Sequence, residues 1–233
     1  MSRAVAEQLI GRIRLRMIPV LADNFIYLLD DGEQAVLIDA GEAAPVLEIV
    51  RAESLALLQV WISHDHADHT GGCRTLQDEL GVLARSPGVS ARDEEWLGSR
   101  CKVVSTPGHT KVHKSFYFPE LGLVFTGDAL INGACGRLLG GTAEELHGSL
   151  RWLAALPDET RVFGGHDYLL ENLRFAEATE FSVAAVERRR VQYGVDPMGA
   201  LFATVAEERE TNPFLNCASA AEFAALRAWK DCF

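Results

Sequence analysis

The sequence predicts an α/β (α+β) chain in which layered strands and helices are followed by a helical appendage. Three observations carry this expectation. Short apolar runs punctuated by turns fill the first two-thirds, alanine, glutamate and arginine dominate after Leu169, and apolar residues there recur at helical rather than alternating spacing. With 233 residues, 48% hydrophobic and 24% charged, the chain is long enough to bury a substantial core.

Taken in order, residues 13–20 and 25–29 are the first predicted strands, split at Ala22-Asp23-Asn24. Residues 35–38 follow the Asp30-Asp31-Gly32 turn and stop at Asp39-Ala40-Gly41, after which 43–52 has helical composition. A second apolar strand, 57–62, runs into Ser63-His64-Asp65-His66, and 71–80 suits a helix. Further strands are expected at 81–84, 102–105, 115–118 and 121–126. A helix over 142–156 is closed by Pro157, and 161–163 is the last strand before Gly164-Gly165-His166. In the tail, Phe175, Thr179, Ser182, Val183 and Val186 follow helical spacing, with breaks at 194–197 and at Asn212-Pro213. The expected domains are therefore 1–166 and a helical 167–233.

The formal net charge of -11 argues against broad binding to nucleic acid or to an anionic membrane. An anionic small molecule is still admissible, provided a local basic cluster receives it. Cys73, Cys101, Cys135, Cys217 and Cys232 are odd in number and contain no CxxC pair, so they are expected to be reduced, as small buried hydrophobes or bystanders. Residues 1–16 lack the apolar core of a signal peptide, and no run of about 18 apolar residues occurs, so a cytoplasmic protein is expected.

The chemistry concentrates in histidines and aspartates. His64, His66, Asp68 and His69 fall within six residues directly after an apolar strand, followed by Thr70-Gly71-Gly72. Two imidazoles at i and i+2 can converge on one cation, while the carboxylate and imidazole beyond them face a neighbouring one. His109, Asp128 and His166 each sit beside glycine in a turn, Asp128 and His166 directly after apolar strands. Two cations about 3.5–4 Å apart, bridged by a carboxylate, need about seven protein ligands. The sequence supplies His64, His66 and His109 for one, Asp68, His69 and His166 for the other, and Asp128 as the bridge. A single histidine would be explained by solvation or a local hydrogen bond; seven residues in this pattern point to two divalent metal ions, zinc first, with iron or manganese tolerated by the same ligand set. Asp65 is expected behind the ligands or in solvent, His113 in a local hydrogen bond, and His147 in a structural or exposed position.

At these residues the sequence resembles the metallo-β-lactamase-fold superfamily, which shares HxHxDH and the later His, Asp and His. Over residues 13–166 that resemblance implies a four-layer αββα sandwich with a dinuclear site at one edge. Finer matches resemble its glyoxalase II group, the hydroxyacylglutathione hydrolases. They include Pro19-Val20-Leu21-Ala22-Asp23-Asn24-Phe25, Cys135-Gly136-Arg137, Asn172-Leu173-Arg174-Phe175-Ala176 and Thr211-Asn212-Pro213-Phe214-Leu215. The resemblance implies that the helical domain holds glutathione through Arg137, Tyr168, Arg227 and Lys230. Three cations beside a phenol suit a ligand with two carboxylates and one ammonium. Read without the resemblance, Arg227 and Lys230 fit a solvated helix face equally well, and Arg188-Arg189-Arg190 is expected to be a solvated helix end. The chain departs from the group at Leu139, where an aromatic is usual, at Asp167-Tyr168-Leu169 in place of Glu-Tyr-Thr, and in the short segment between Phe175 and Thr211.

The activity so implied is hydrolysis of S-(2-hydroxyacyl)glutathione thioesters, such as S-lactoylglutathione, in methylglyoxal detoxification. Asp68 and Asp128 would act with a metal-bridging hydroxide, in a monomer or small homo-oligomer. The rival expectation is a glutathione-persulfide dioxygenase with a single iron, whose relatives also carry a His-Asp-Tyr turn like His166-Asp167-Tyr168. A non-catalytic binding member of the fold would show eroded ligands, whereas all seven are present.

Overall fold

The computed structural model describes residues 5–86, 94–96, 98–201 and 203–233. One sheet runs in sequence order through β1 (Ala6–Ile10), β2 (Ile13–Val20), β3 (Asn24–Asp30), β4 (Gln34–Ile38), β5 (Ala56–Trp61) and β6 (Ala84–Arg85). Its first four strands are antiparallel; β4, β5 and β6 are parallel. The parallel pairings need crossovers, supplied by α1 (Ala44–Ala52) and by α2 (Ala67–Thr70) with α3 (Cys73–Leu80). The second sheet has the order β11-β10-β9-β8-β7, from β7 (Glu94–Trp96), β8 (Ser99–Ser105), β9 (Lys114–Phe118), β10 (Leu123–Gly127) and β11 (Arg161–Gly164). Here β10 and β11 are parallel, joined through α4 (Ala143–Ala154), whose first turn is closed by a reciprocal Thr142–Glu145 capping box.

Side-chain alternation sorts these strands into layers. Phe25, Tyr27 and Leu29 of β3, with Trp61 of β5, face the opposite sheet, where they join Phe116, Phe118, Phe125 and Phe163. Ile26 and Leu28, on the other face of the same strand, pack with Val46, Val50 and Leu76 beneath α1 and α3. Behind the second sheet, Val124 and Val162 pack with Leu146, Leu150 and Leu153 of α4 and with Phe214 and Phe223 of the tail. Helix, sheet, sheet and helix form a four-layer αββα sandwich, and each fully buried large apolar side chain contributes roughly 1.5–3 kcal/mol relative to exposure.

The tail contains α5 (Leu169–Ala178), α6 (Val183–Val195), α7 (Pro197–Leu201), α8 (Val205–Thr211), a 3-10 turn (Pro213–Asn216) and α9 (Ala220–Asp231). It is stitched to the second sheet where Thr204 pairs with Arg161 and the Val205 amide donates to the Thr160 carbonyl. Among the described residues, no helix is long and apolar enough to cross a membrane.

Several expectations shift. Strand β1 had no strong signal because its residues alternate between half-buried and exposed at a sheet edge. The strand expected over 81–84 shrinks to β6, since Gly81 adopts φ 72° as the left-handed cap of α3. The continuous run through Phe175, Thr179, Ser182 and Val186 is two helices: Thr179 caps α5, and Glu180 and Ser182 take φ of 57° and 45°. All five cysteines are free, with Cys101, Cys135 and Cys217 buried, Cys73 partly so, and Cys232 exposed.

The solvated Arg188-Arg189-Arg190 run is corrected at its centre. Arg188 and Arg190 are exposed, but Arg189 is only 5% exposed and lies 2.6 Å from Glu208, which is fully buried at 0%. Helical phase turns the middle residue inward, against α8. Removing one partner of a buried ion pair leaves the other charge uncompensated, at a cost of about 3–5 kcal/mol. Arg189→Ala should therefore lower unfolding free energy in urea by about that much, whereas a solvated arginine would change it by no more than about 0.5 kcal/mol.

Candidate metal centre

The donors gather where strands end. His64 and His66 follow β5; Asp68 and His69 lie on α2, for which His66 is the N-cap. His109 stands in the β8–β9 connection, Asp128 directly after β10, and His166 two residues after β11. All seven sequence-predicted ligands meet at one edge of the sandwich. His64, His66 and His109 form one group able to hold an ion, and Asp68, His69 and His166 another, with donor atoms in each group within 4.8 Å of one another. Asp128 lies between them, its carboxylate 3.5 Å from His109, 3.4 Å from His69 and 3.2 Å from His166. Close packing of the turns needs glycine: a Cβ at Gly136 would meet the Asp128 carbonyl at 2.3 Å, and one at Gly165 would meet its carboxylate at 2.4 Å.

Four of the five imidazoles are each oriented by a partner behind them. Ser63 Oγ donates to Asp39, which leaves its lone pair for the Nδ1–H of His64 at 3.0 Å. His69 Nδ1 donates to Asp39 at 2.9 Å, His109 Nδ1 to the Arg137 carbonyl at 2.8 Å, and His166 Nδ1 to Asp23 at 2.9 Å. These bonds place the proton on Nδ1, so four Nε2 lone pairs point into the centre, joined by Nδ1 of His66, which is 3.0 Å from His64 and 3.1 Å from His109. Asn24 donates to Asp68 at 2.7 Å.

Burial favours the neutral, lone-pair-bearing imidazole at all four rings, and neighbouring carboxylates oppose it at two of them. Burial holds the His64 imidazole down to about 3, and burial likewise lowers His109. For His69 and His166 burial works in the same direction, but Asp39 and Asp128 outweigh it at His69, and Asp128 and Asp23 at His166, so both are raised. Burial alone would raise the Asp128 carboxyl; His166 and His69 hold it well below its ordinary range. Even so, His69 Nε2 and Asp128 Oδ1 are buried without any hydrogen-bond partner. A buried unsatisfied polar atom costs about 1–3 kcal/mol, and a divalent cation at that point would satisfy both. Five imidazole nitrogens and two carboxylates, without thiolate, suit zinc, iron or manganese.

Sequence reasoning missed the supporting shell. Asp39, at φ 58°, was visible only as part of a turn; its buried carboxylate serves His69 and both polar groups of Ser63. A non-glycine residue in the left-handed region at the end of an apolar strand was the available signal, but it requires knowledge of φ. Asp23 and Asn24 read in sequence as a strand break and as part of the segment that resembles the glyoxalase II group, without a role at the centre. His113 does hydrogen-bond locally, to Thr106 at 2.9 Å, and its other nitrogen also accepts the Asp128 amide at 3.1 Å. His147 bonds the Cys217 carbonyl at 3.0 Å, a structural role, and Asp65 is exposed.

The donors open onto a cleft of about 480 Å³ that also reaches Arg137, Leu139, Tyr168, Glu171, Arg227 and Lys230. The Tyr168 ring stacks on His166 with centroids 4.8 Å apart, and its hydroxyl donates to Asp23 at 3.3 Å. The solvated-face reading of Arg227 fails, because it is 3% exposed, donates to the Cys135 carbonyl at 2.8 Å and pairs with Asp231 at 2.9 Å. Arg137 is exposed, 3.7 Å from Asp231. Lys230 lies 5.0 Å over the Phe175 ring, and burial lowers its pKa. Leu139 is exposed at the rim.

The profile of the Metallo-beta-lactamase superfamily matches residues 22–92 and 90–166, the class that the sandwich and its edge cluster define. The profile described as Hydroxyacylglutathione hydrolase C-terminus matches 167–233. A hydroxyacylglutathione hydrolase of Chromohalobacter salexigens is 40% identical over 251 residues, covering 93% of this chain and 98% of that protein. One of Pseudomonas entomophila is 36% identical, covering 95% and 100%. Among solved structures, ETHE1 from Myxococcus xanthus is similar with TM-score 0.62 and 26% identity, over 97% of this chain and 90% of that one. TTHA1623 in a di-iron-bound form is similar with TM-score 0.60 and 27% identity, over 85% and 98%. The chain thus belongs to the hydroxyacylglutathione hydrolase family of the metallo-beta-lactamase superfamily, and it is a metal-dependent hydrolase.

Asp39→Asn should weaken binding of divalent metal by roughly 10–100-fold, since it removes the charge that orients His69. Competition with a chromophoric chelator measures this directly, and an unchanged dissociation constant would contradict the role assigned to Asp39.

Proposed function

We propose that the protein hydrolyses S-(2-hydroxyacyl)glutathione thioesters, such as S-lactoylglutathione, to a 2-hydroxy acid and glutathione. The single observation that carries this reading is one cleft lined both by the His/Asp cluster and by Arg137, Tyr168, Arg227 and Lys230. The relatives named hydroxyacylglutathione hydrolase support the same substrate class.

His64, His66 and His109 would hold one divalent ion, Asp68, His69 and His166 a second, and Asp128 would span the two. When bound there, the ions supply Lewis acidity, bringing water ionisation toward neutral pH and polarising the scissile carbonyl. Zinc is the first choice for such a set, with iron or manganese also suitable. Asn24 fixes the Asp68 carboxylate through its side-chain amide, while His113 fixes the backbone amide of Asp128. A thiol with pKa near 8.5 leaves readily as thiolate, so the chain needs no dedicated general acid.

At the rim the charges are unequal. Arg227 is already paired with Asp231, whereas Lys230 and Glu171 form no ion pair among the described residues. Lys230 is thus the side chain free to meet a substrate carboxylate, with Glu171 available for its ammonium. Leu139 contributes apolar contact and no hydroxyl. The setting we propose is cytoplasmic methylglyoxal detoxification by a monomer or small homo-oligomer, with neither nucleic acid nor membrane as a partner. A persulfide dioxygenase with a single iron would use two histidines and one aspartate, and so would leave four of the seven convergent donors unexplained.

Elemental analysis should return two metal ions per chain, together with turnover of S-lactoylglutathione. Asp128→Ala should lose at least about 100-fold in kcat, while Lys230→Ala should chiefly raise KM, a split that steady-state kinetics resolves. One iron per chain with oxygen uptake on glutathione persulfide, and no thioester cleavage, would refute the reading.

A further inference from the structure

Between Asp128 and Arg137 the chain makes a tight turn, and its main-chain polar groups are claimed one after another by side chains of the helical tail. Asn172 Nδ2 donates to the carbonyls of Ile131 at 3.1 Å and Asn132 at 2.9 Å. The Gly133 amide donates to Glu208 at 2.9 Å, Asn212 Nδ2 donates to the Ala134 carbonyl at 3.0 Å, and Arg227 takes the Cys135 carbonyl at 2.8 Å. Five consecutive residues are thus held by four side chains, each no more than 3% exposed. Glu208 is itself fixed by Arg189 at 2.6 Å and by Asn212 at 3.2 Å.

The other side of this segment faces the donor cluster. The Gly136 amide bonds the Asp128 carbonyl at 3.0 Å, and the Arg137 carbonyl orients His109. Asn132 Nδ2 donates to the His166 carbonyl at 3.2 Å. Asn132 and Gly133 have φ of 25° and 80°, a turn that a free loop would hold poorly. Residues contributing to both halves of the cluster therefore lean on one short segment whose shape is set from the tail.

We propose that the helical tail positions the metal centre, with Asn172, Asn212 and Glu208 acting as positioning residues for Asp128, His109 and His166 by clasping residues 131–135. The tail then has a second task besides lining the cleft. This inference rests on the metal reading of the seven donors and is independent of which thioester is cleaved. Because the clasp joins backbone to side chains across the two halves of the chain, loosening it should alter ion retention before it alters the fold.

Asn172→Ala and Asn212→Ala remove neutral donors and strand no charge. Asn172→Asp keeps the shape while deleting both N–H donors. Zinc retention of each variant and of the parent is read by chelator titration with mass-spectrometric metal counting, alongside thermal unfolding of the metal-stripped forms. The expected result is zinc held roughly 10-fold or more weakly in the variants, with Asn172→Asp resembling Asn172→Ala rather than the parent. Parent-like zinc retention in all three variants, with only stripped-state stability reduced, would overturn the clasp and reduce it to fold support. A parent chain that binds no zinc at all would overturn the metal reading, and the clasp with it.

Discussion

Everything at the edge of this sandwich answers to one electrostatic constraint: seven donors direct lone pairs toward a small, largely buried volume. Four imidazoles have their protons committed outward, to Asp39, Asp23, Ser63 and the Arg137 carbonyl. With the rings neutral the inward nitrogens have nothing to donate, and Asp128 Oδ1 and His69 Nε2 form no hydrogen bond. In a low-dielectric interior such a cluster is unfavourable by itself, because a desolvated acceptor such as Asp128 Oδ1 loses water and gains no donor. Divalent cations reverse the sign of the interaction. The surrounding fold gathers the donors for that reversal: Gly136 lets backbone approach the Asp128 carbonyl and the His109 ring, Gly165 lets it approach the Asp128 carboxylate, and strand ends bring distant residues together.

The same constraint explains why Asp39, Ser63, Asn24 and His113 are as deeply buried as the donors. A mobile imidazole would turn to hydrogen-bond elsewhere, so four of the five are pinned by a group outside the cluster. Asp39 also takes the Ser63 amide and hydroxyl, and His113 takes the Asp128 amide. The tail continues this logic outward through Asn172, Asn212 and Glu208 to Arg189. Arg227 sits at the meeting point, since it lines the cleft and also holds the Cys135 carbonyl.

How much of this was legible in the sequence depends on the range over which each signal acts. The buried strands were visible because continuous apolar runs such as 25–29 and 35–38 declare themselves locally. The donors were visible because their residue types and glycine neighbours are local too. Edge strand β1 escaped because half-exposed residues give no apolar contrast. Arg189 was misjudged because three adjacent arginines look alike in sequence, and only helical phase against α8 separates the buried one. Asp39 and Asp23 escaped because their partners are 30 and 143 residues away, a pairing set by topology alone.

The most direct test of a cation-dependent centre is unfolding free energy with and without zinc, measured in urea on the full chain after metal stripping. A ligand that binds only the folded state stabilises it by about 2.7 kcal/mol at a hundredfold excess over its dissociation constant. Added zinc should stabilise the stripped chain by at least about that amount at such an excess, and Asp128→Ala should forfeit most of the gain. Superimposable unfolding curves with and without zinc would contradict the idea that these buried lone pairs are arranged around a cation.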